Sequence, residues 1–176
     1  MTLDRTPGEG KYARIEREQR WLLPSVPEKA LFRAEIVDYY FESTSLRLRK
    51  VTTESATTLK LTQKVRVDEG NPHFIKITNL YLTPAEFEML TKLPTLTLLK
   101  HRFDYGEGQS TFAVDTFGGR HRGLVLAEIE IGPDEQRVLG PSSALVEVSD
   151  DNRFSGGYLA AASDDELAEL LSQISN

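Results

Sequence analysis

Cysteine is absent from the 176 residues, which excludes disulfides, thiolate metal sites and a cysteine nucleophile. A reducing cytoplasm is therefore the expected location. Histidine is scarce: His73, His101 and His121 show neither H-x-H nor H-E-x-x-H spacing, so no histidine zinc centre is expected. No apolar run approaches the roughly 18 consecutive residues that a spanning helix needs. Residues 1–18 lack the apolar core of a secretory leader, so no membrane association is expected. Nucleophile-elbow motifs are missing, and Gly118-Gly119, without a following Lys-Ser/Thr, reads as a plain turn. Basic charge is not in excess: 21 Lys+Arg stand against 27 Asp+Glu, a formal net charge of −6. General nucleic-acid binding is therefore not expected, although net charge leaves room for a local basic site.

What is present is a globular composition, 39% hydrophobic and 27% charged. The length suits one domain. Residues 1–10 read as a flexible lead-in and 11–176 as a single domain. Short runs of period two dominate, at 15–23, 39–51, 57–67, 73–82, 98–105, 110–116 and 124–131, parted by turn-like stretches such as 68–72. Helix starts are written at Thr83-Pro84-Ala85-Glu86 and Ser163-Asp164-Asp165-Glu166, the second followed by Leu167, Leu170, Leu171 and Ile174 at helical spacing. A weaker helix is expected over 28–35. The fold class is α+β, mainly antiparallel β.

The strands alternate in an unusual way. Side chains two apart share a face of a strand. Arg47 and Arg49 therefore point one way, with Leu46 and Leu48 the other. Lys60, Thr62 and Lys64 oppose Leu59 and Leu61, and Lys76 opposes Ile75 and Ile77. Lys100 and Arg102 make another pair; Glu128 and Glu130 oppose Ala127, Ile129 and Ile131; Glu16, Glu18 and Arg20 line one side of the first strand. A sheet with its charged side in water accounts for any one strand. Water-facing charges usually mix signs to pair across strands, however. Here the pairs have one sign each: Glu16/Glu18, Arg47/Arg49, Lys100/Arg102, Glu128/Glu130. Segregation by strand suggests something held between walls of opposite sign. Arg and Lys clamp phosphate oxygens, and clustered carboxylates hold Mg²⁺ or Mn²⁺. A metal-bound polyphosphate would neutralise both walls. Trp21 and Tyr39-Tyr40-Phe41 read as core or rim packing.

At these residues the chain resembles the CYTH superfamily, the triphosphate tunnel metalloenzymes. Glu16-Arg17-Glu18-Gln19-Arg20 is similar to the hallmark E-x-E-x-K strand, with Arg in the last place. An L-R-L-R strand (Leu46 to Arg49), an L-K strand (Leu59-Lys60), a basic strand at Lys76 and a K-x-R strand (Lys100-His101-Arg102) follow in the family's order. Next come Asp115-Thr116-Phe117-Gly118-Gly119, the stretch 123–130 ending Ala127-Glu128-Ile129-Glu130, and the stretch 147–154 containing Arg153; the likeness covers about residues 12–160. The resemblance implies a closed eight-stranded tunnel barrel with a few outer helices. It implies that Arg47, Arg49, Lys60, Lys76, Lys100, Arg102 and Arg153 grip phosphates. Glu16, Glu18, Glu128, Glu130 and the weaker Asp115 would hold Mg²⁺ or Mn²⁺, with Glu16, Glu18, Arg20 and Glu130 nearest the chemistry. The expected activity is hydrolysis of tripolyphosphate, thiamine triphosphate or a nucleotide by a cytoplasmic monomer or homodimer.

Two departures matter. Arg20 cannot lose a proton at accessible pH, unlike the family's lysine. The strand where relatives carry R-x-E-x-E reads Lys76-Ile77-Thr78-Asn79-Leu80, without carboxylates. Slow turnover or an unusual substrate is the consequence to expect. The alternatives are a non-catalytic polyphosphate or nucleotide module, an adenylate cyclase of the same fold, and an apolar-ligand calyx, which would need greasy inward faces.

Overall fold

The computed structural model describes residues 7–66, 74–132 and 134–172. In chain order the elements are β1 (Arg14–Leu22), β2 (Leu31–Tyr40), β3 (Leu46–Thr52), β4 (Thr57–Arg66), β5 (Phe74–Tyr81), α1 (Pro84–Thr91), β6 (Leu96–Glu107), β7 (Ser110–Phe117), β8 (Val125–Ile131), β9 (Val146–Glu147), α2 (Gly156–Ala161) and α3 (Asp164–Ser172). The strand order is β5-β4-β3-β2-β6-β7-β8-β1-β9, and an additional β5–β1 pairing closes the ring. β1 makes the closure by pairing β5 over Arg14–Arg17 and β8 over Arg17–Leu22. The result is a closed eight-stranded antiparallel barrel, with β9 as a two-residue addition on β1. Closure removes the exposed edges that an open sheet would offer to other chains.

Apolar side chains fall into two groups. Outside the wall, Trp21, Phe112, Val114, Val125 and Ala127 pack together under Val138 and Ala144. Trp21 meets Phe112 edge to face at 5.6 Å. Gly140 crosses that indole so closely that a Cβ there would lie 2.4 Å from Trp21 Nε1. The second group joins inward-facing Leu22, Leu98, Phe117 and Leu126 to Phe154, Leu159, Leu167 and Leu170 of the C-terminal segment. Full burial of each such side chain is worth about 1.5–3 kcal/mol. This segment covers the apolar part of the interior, leaving the charged part as a cavity.

Both written helix starts are real. In α1 the Thr83 hydroxyl accepts from Glu86 N, and the Glu86 carboxylate accepts from Thr83 N at 2.7 Å. Ser163 and Glu166 repeat the arrangement before α3. Leu167 and Leu170 are buried, while Ile174 lies outside the described residues, as do His73, the 68–72 turn and residues 1–6 of the lead-in.

Two expectations fail. Residues 28–35 are not a helix: a turn follows Pro27, and Leu31 begins a ten-residue strand. Pairing on both sides, with β3 and β6, outweighs the weak helical preference of that stretch. Residues 39–51 are not one strand but the end of β2, a turn and β3. The turn has no Gly or Pro to announce it; Ser43 supplies its positive φ of 58°. α2 was not anticipated. No helix among the described residues is long and apolar enough to cross a membrane.

Candidate functional site

The charged faces point inward, around a cavity of about 590 Å³. Arg49, Lys100 and Glu130 all line it, so the greasy calyx is excluded. Of the residues singled out by sequence, Glu16, Glu18, Arg20, Arg47, Arg49, Lys60, Lys100, Arg102, Glu128 and Glu130 meet there. Basic side chains outnumber acidic ones in the lining, although the whole chain is net negative. Enclosure by low-dielectric walls focuses that local excess on an entering anion.

The basic wall is held by two buried carboxylates. Asp38 on β2 is the register partner of Arg49 on β3 and is fully buried. It accepts from Arg49 Nε and Nη2 at 2.5 and 2.6 Å. Burial pushes the Asp38 carboxyl up, but Arg49 and Arg47 outweigh it and hold it well below its usual range. Arg47 is tied less fully: its Nε lies 3.6 Å from Asp38 and has no hydrogen-bond partner among the described residues. Its Nη2 donates to Thr62 at 3.4 Å. Asp115 on β7 plays the same part for β6. It accepts from Lys100 Nζ at 3.1 Å and from Arg102 Nε and Nη2 at 2.7 Å each. The Lys60 side chain makes no hydrogen bond or ion pair among the described residues. Burial, together with Arg49 and Arg47, lowers its pKa to about 8.

The acidic wall stands on β1 and β8, where Glu18 faces Glu130 and Arg20 faces Glu128 in register. Arg20 donates to Glu128 at 2.8 Å and to Glu18 at 3.0 Å. Burial opposes its charge, but the two carboxylates raise its pKa above the ordinary value. Lys64 on β4 reaches Glu16 at 3.2 Å and Glu18 at 3.7 Å. Lys64 is the chief reason that Glu18 is lowered. Burial raises Glu16; Lys64 opposes this, and the like charges of Glu18 and Glu130 reinforce it. Glu128 also accepts from Arg102 at 3.2 Å.

Three expected residues are placed apart. Lys76 lies on the face of β5 opposite Ile75, Ile77 and Asn79, which line the cavity. Asp115 is fully buried beneath Lys100 and Arg102, so it anchors cations and offers no open face to a metal. Arg153 is not in the lining; it pairs at 2.6 Å with Asp151, which is. Asp38 was missed because it falls between the helix expected over 28–35 and the strand expected from 39, so Ile36, Asp38 and Tyr40 were not read as one face of a single strand. Lys64 was visible as the period-two continuation of Lys60 and Thr62. Tyr40, read as packing, lines the cavity, and its phenol is raised by burial and by Asp38. His101 faces outward near Glu35, and buried His121 bonds the Leu159 carbonyl at 2.6 Å.

Among the described residues, no three acidic or histidine side chains are gathered closely enough to hold a metal ion as they stand. The chemistry of the donor set nevertheless fits a hard divalent cation. Glu16, Glu18 and Glu130 share one wall, and the crowding that raises Glu16 is what such an ion relieves. It would compete with the Lys64 ammonium between Glu16 and Glu18.

Comparison of the coordinates with solved structures finds the inorganic triphosphatase NE1496, at 21% sequence identity and a TM-score of 0.56. The match covers 84% of this chain and 95% of that one. A second structure of NE1496, described as a hypothetical protein, matches at 22% identity and TM-score 0.56, over 84% and 98%. The chain shares its closed tunnel-barrel fold with these structures. At such identity the likeness to NE1496 is one of fold. The PH1819 protein of Pyrococcus horikoshii is similar at 18% identity and TM-score 0.47, over 90% of this chain and 89% of that one. No family model matches the sequence, and no curated protein sequence does.

Proposed function

We propose that the tunnel binds a triphosphate with a divalent metal and hydrolyses its terminal anhydride, the substrate being tripolyphosphate or an organic triphosphate. The observation that carries this reading is a set of cations with unfilled donor capacity in one cavity. Among the described residues, Arg47 Nε is buried without a hydrogen-bond partner and the Lys60 side chain has no paired carboxylate. A buried donor left unmade costs about 1–3 kcal/mol, and phosphate oxygens are acceptors of the right charge to satisfy it. Asp38 and Asp115 fix the neighbouring Arg49, Lys100 and Arg102, so these cations are aimed before an anion arrives. Pre-aimed cations stabilise charge that grows on leaving oxygens without reorganising first.

Glu16, Glu18 and Glu130 are the residues that would hold the metal, which when bound neutralises phosphate charge and activates water. Arg20 stays protonated, so its part is to orient Glu18 and Glu128. Of Glu16, Glu18 and Glu130, the last alone carries no ion pair among the described residues, whereas Lys64 holds Glu16 and Arg20 holds Glu18. The reading is supported in fold by the likeness to an inorganic triphosphatase.

The test is phosphate release from tripolyphosphate, thiamine triphosphate and ATP with Mg²⁺ or Mn²⁺. Release that stops on chelation is the expected result, and no release from any of them retires the hydrolase. A binding module is the second reading, favoured by Arg20 occupying Glu18 and Glu128 and by Ile75 and Ile77 where acidic residues would add metal capacity. It requires calorimetric binding of tripolyphosphate without turnover. Cyclic AMP formed from ATP would instead mark a cyclase.

A further inference from the structure

Within the cavity one lysine is set apart from the other two. Lys100 and Lys64, the other lysines of the lining, are paired to carboxylates at 3.1 and 3.2 Å, and Arg20, Arg49 and Arg102 each make closer pairs. Lys60 has none. Its register partners are Arg49 on β3 and Tyr81 on β5, so a cation stands directly opposite it across the ladder. Like charges in that position destabilise each other. Arg49 cannot yield its proton, because guanidinium stays charged in proteins; Lys60 can.

We propose that Lys60 is a nucleophilic amine, and that the tunnel captures phosphate-bearing aldehydes or ketones as an imine on its Nζ. The chemistry is balanced without any further reagent. The neutral Nζ attacks the carbonyl carbon, forming a C–N bond as the carbonyl π pair moves to oxygen. The carbinolamine then loses that oxygen as water, and the nitrogen gives up its two hydrogens to leave C=N. Neighbouring cations are a recognised way to activate a lysine for this step. The charged groups that act on Lys60 are Arg49 and Arg47, which disfavour its protonated form, and Asp38 and Glu16, which oppose them more weakly; burial acts with the arginines, and the pKa falls to about 8. Arg47, whose buried Nε has no hydrogen-bond partner among the described residues, would supply the phosphate contact that holds the carbonyl near the amine. The proposal rests on the anion-binding half of the function proposed above and on none of its hydrolytic half.

Pyridoxal 5′-phosphate is the probe, pyridoxal its phosphate-free control, and borohydride the trap, with modified lysines located by peptide mass. A fall from 10.5 to about 8 multiplies the neutral amine at neutral pH by roughly three hundred; lower intrinsic nucleophilicity takes back part of that. Lys60 should therefore be labelled about tenfold faster than exposed Lys50, faster by pyridoxal phosphate than by pyridoxal, and more slowly with tripolyphosphate present. Lys60→Arg should lose the imine absorbance while melting as the wild type does. Labelling spread over surface lysines with Lys60 unmodified, or equal rates with pyridoxal, overturns the proposal. Labelled Lys60 in a protein that releases no phosphate leaves it standing and retires only the hydrolase.

Discussion

Replacing Asp38 by asparagine keeps the side-chain volume and removes one charge, in a place where the arithmetic is severe. Asp38 is fully buried and accepts two short hydrogen bonds from Arg49, with Arg47 3.6 Å away. An intact buried pair is worth little net, because desolvation offsets attraction. Losing one partner strands the other charge and costs about 3–5 kcal/mol. For a chain of this size each kcal/mol moves the melting temperature by about 2–4 °C. Asp38→Asn should therefore melt roughly 6–20 °C below the wild type at neutral pH. The acid side supplies a second check. The folded carboxyl is held below its ordinary value of 3.8, so between the two values the native state binds fewer protons than the unfolded chain. Its contribution is complete above pH 3.8 and drains away as pH falls towards the folded value. The gap between variant and wild type should narrow accordingly in acid. Adding Arg49→Met to Asp38→Asn removes the stranded charge and should restore most of the loss. Calorimetric melts across pH measure all three. A single variant melting within about 2 °C of the wild type, less than 1 kcal/mol at this size, would refute the reasoning.

Anion binding gives further checks. Arg47→Ala removes a donor with unfilled capacity and should weaken tripolyphosphate about ten- to a hundredfold by calorimetry, the equivalent of about 1.5–3 kcal/mol. Lys100→Ala should do comparable harm, whereas Lys76→Ala, on the outer face, should stay within about twofold. Because Lys60 loses its proton as pH rises through about 8, tripolyphosphate affinity should fall across that range, and Lys60→Met should flatten the profile. Gly156→Ala would place a Cβ 2.1 Å from Tyr40 Oη, at the cavity wall. Overpacking of that kind costs about 1–3 kcal/mol, so chemical denaturation should show the loss.

Much of this was legible in the chain because strands write their facing in alternate letters. Arg47/Arg49, Lys100/Arg102 and Glu128/Glu130 each announced a shared face, and all six line the cavity. The capping sequences at Thr83 and Ser163 named helix starts for an equally local reason, since a cap is satisfied within four residues. Legibility stopped where meaning depended on a partner strand. Lys76 obeys the same alternation as Lys60, yet it points out, because register sets Ile75 and Ile77 towards the interior. Asp115 looked like a ligand in its motif and proved to be the anchor of Lys100 and Arg102. Asp38, which falls between the helix expected over 28–35 and the strand expected from 39, became the anchor of Arg49 once β2 was paired on both sides.

By itself, then, the order of residues determined a set of amphipathic strands, the sign of charge on each, and two helix starts. These are properties of neighbours along the backbone, governed by a period of two or by a single hydrogen-bonded turn. The closure of β1 onto β5, and with it the choice of inside, was decided only in three dimensions. So were the identity of each cation's counter-charge and the isolation of Lys60 among arginines. Those facts depend on which side chains approach across the ladder and at what depth from water, and Coulomb energy and desolvation respond to distance in space, not to separation in sequence.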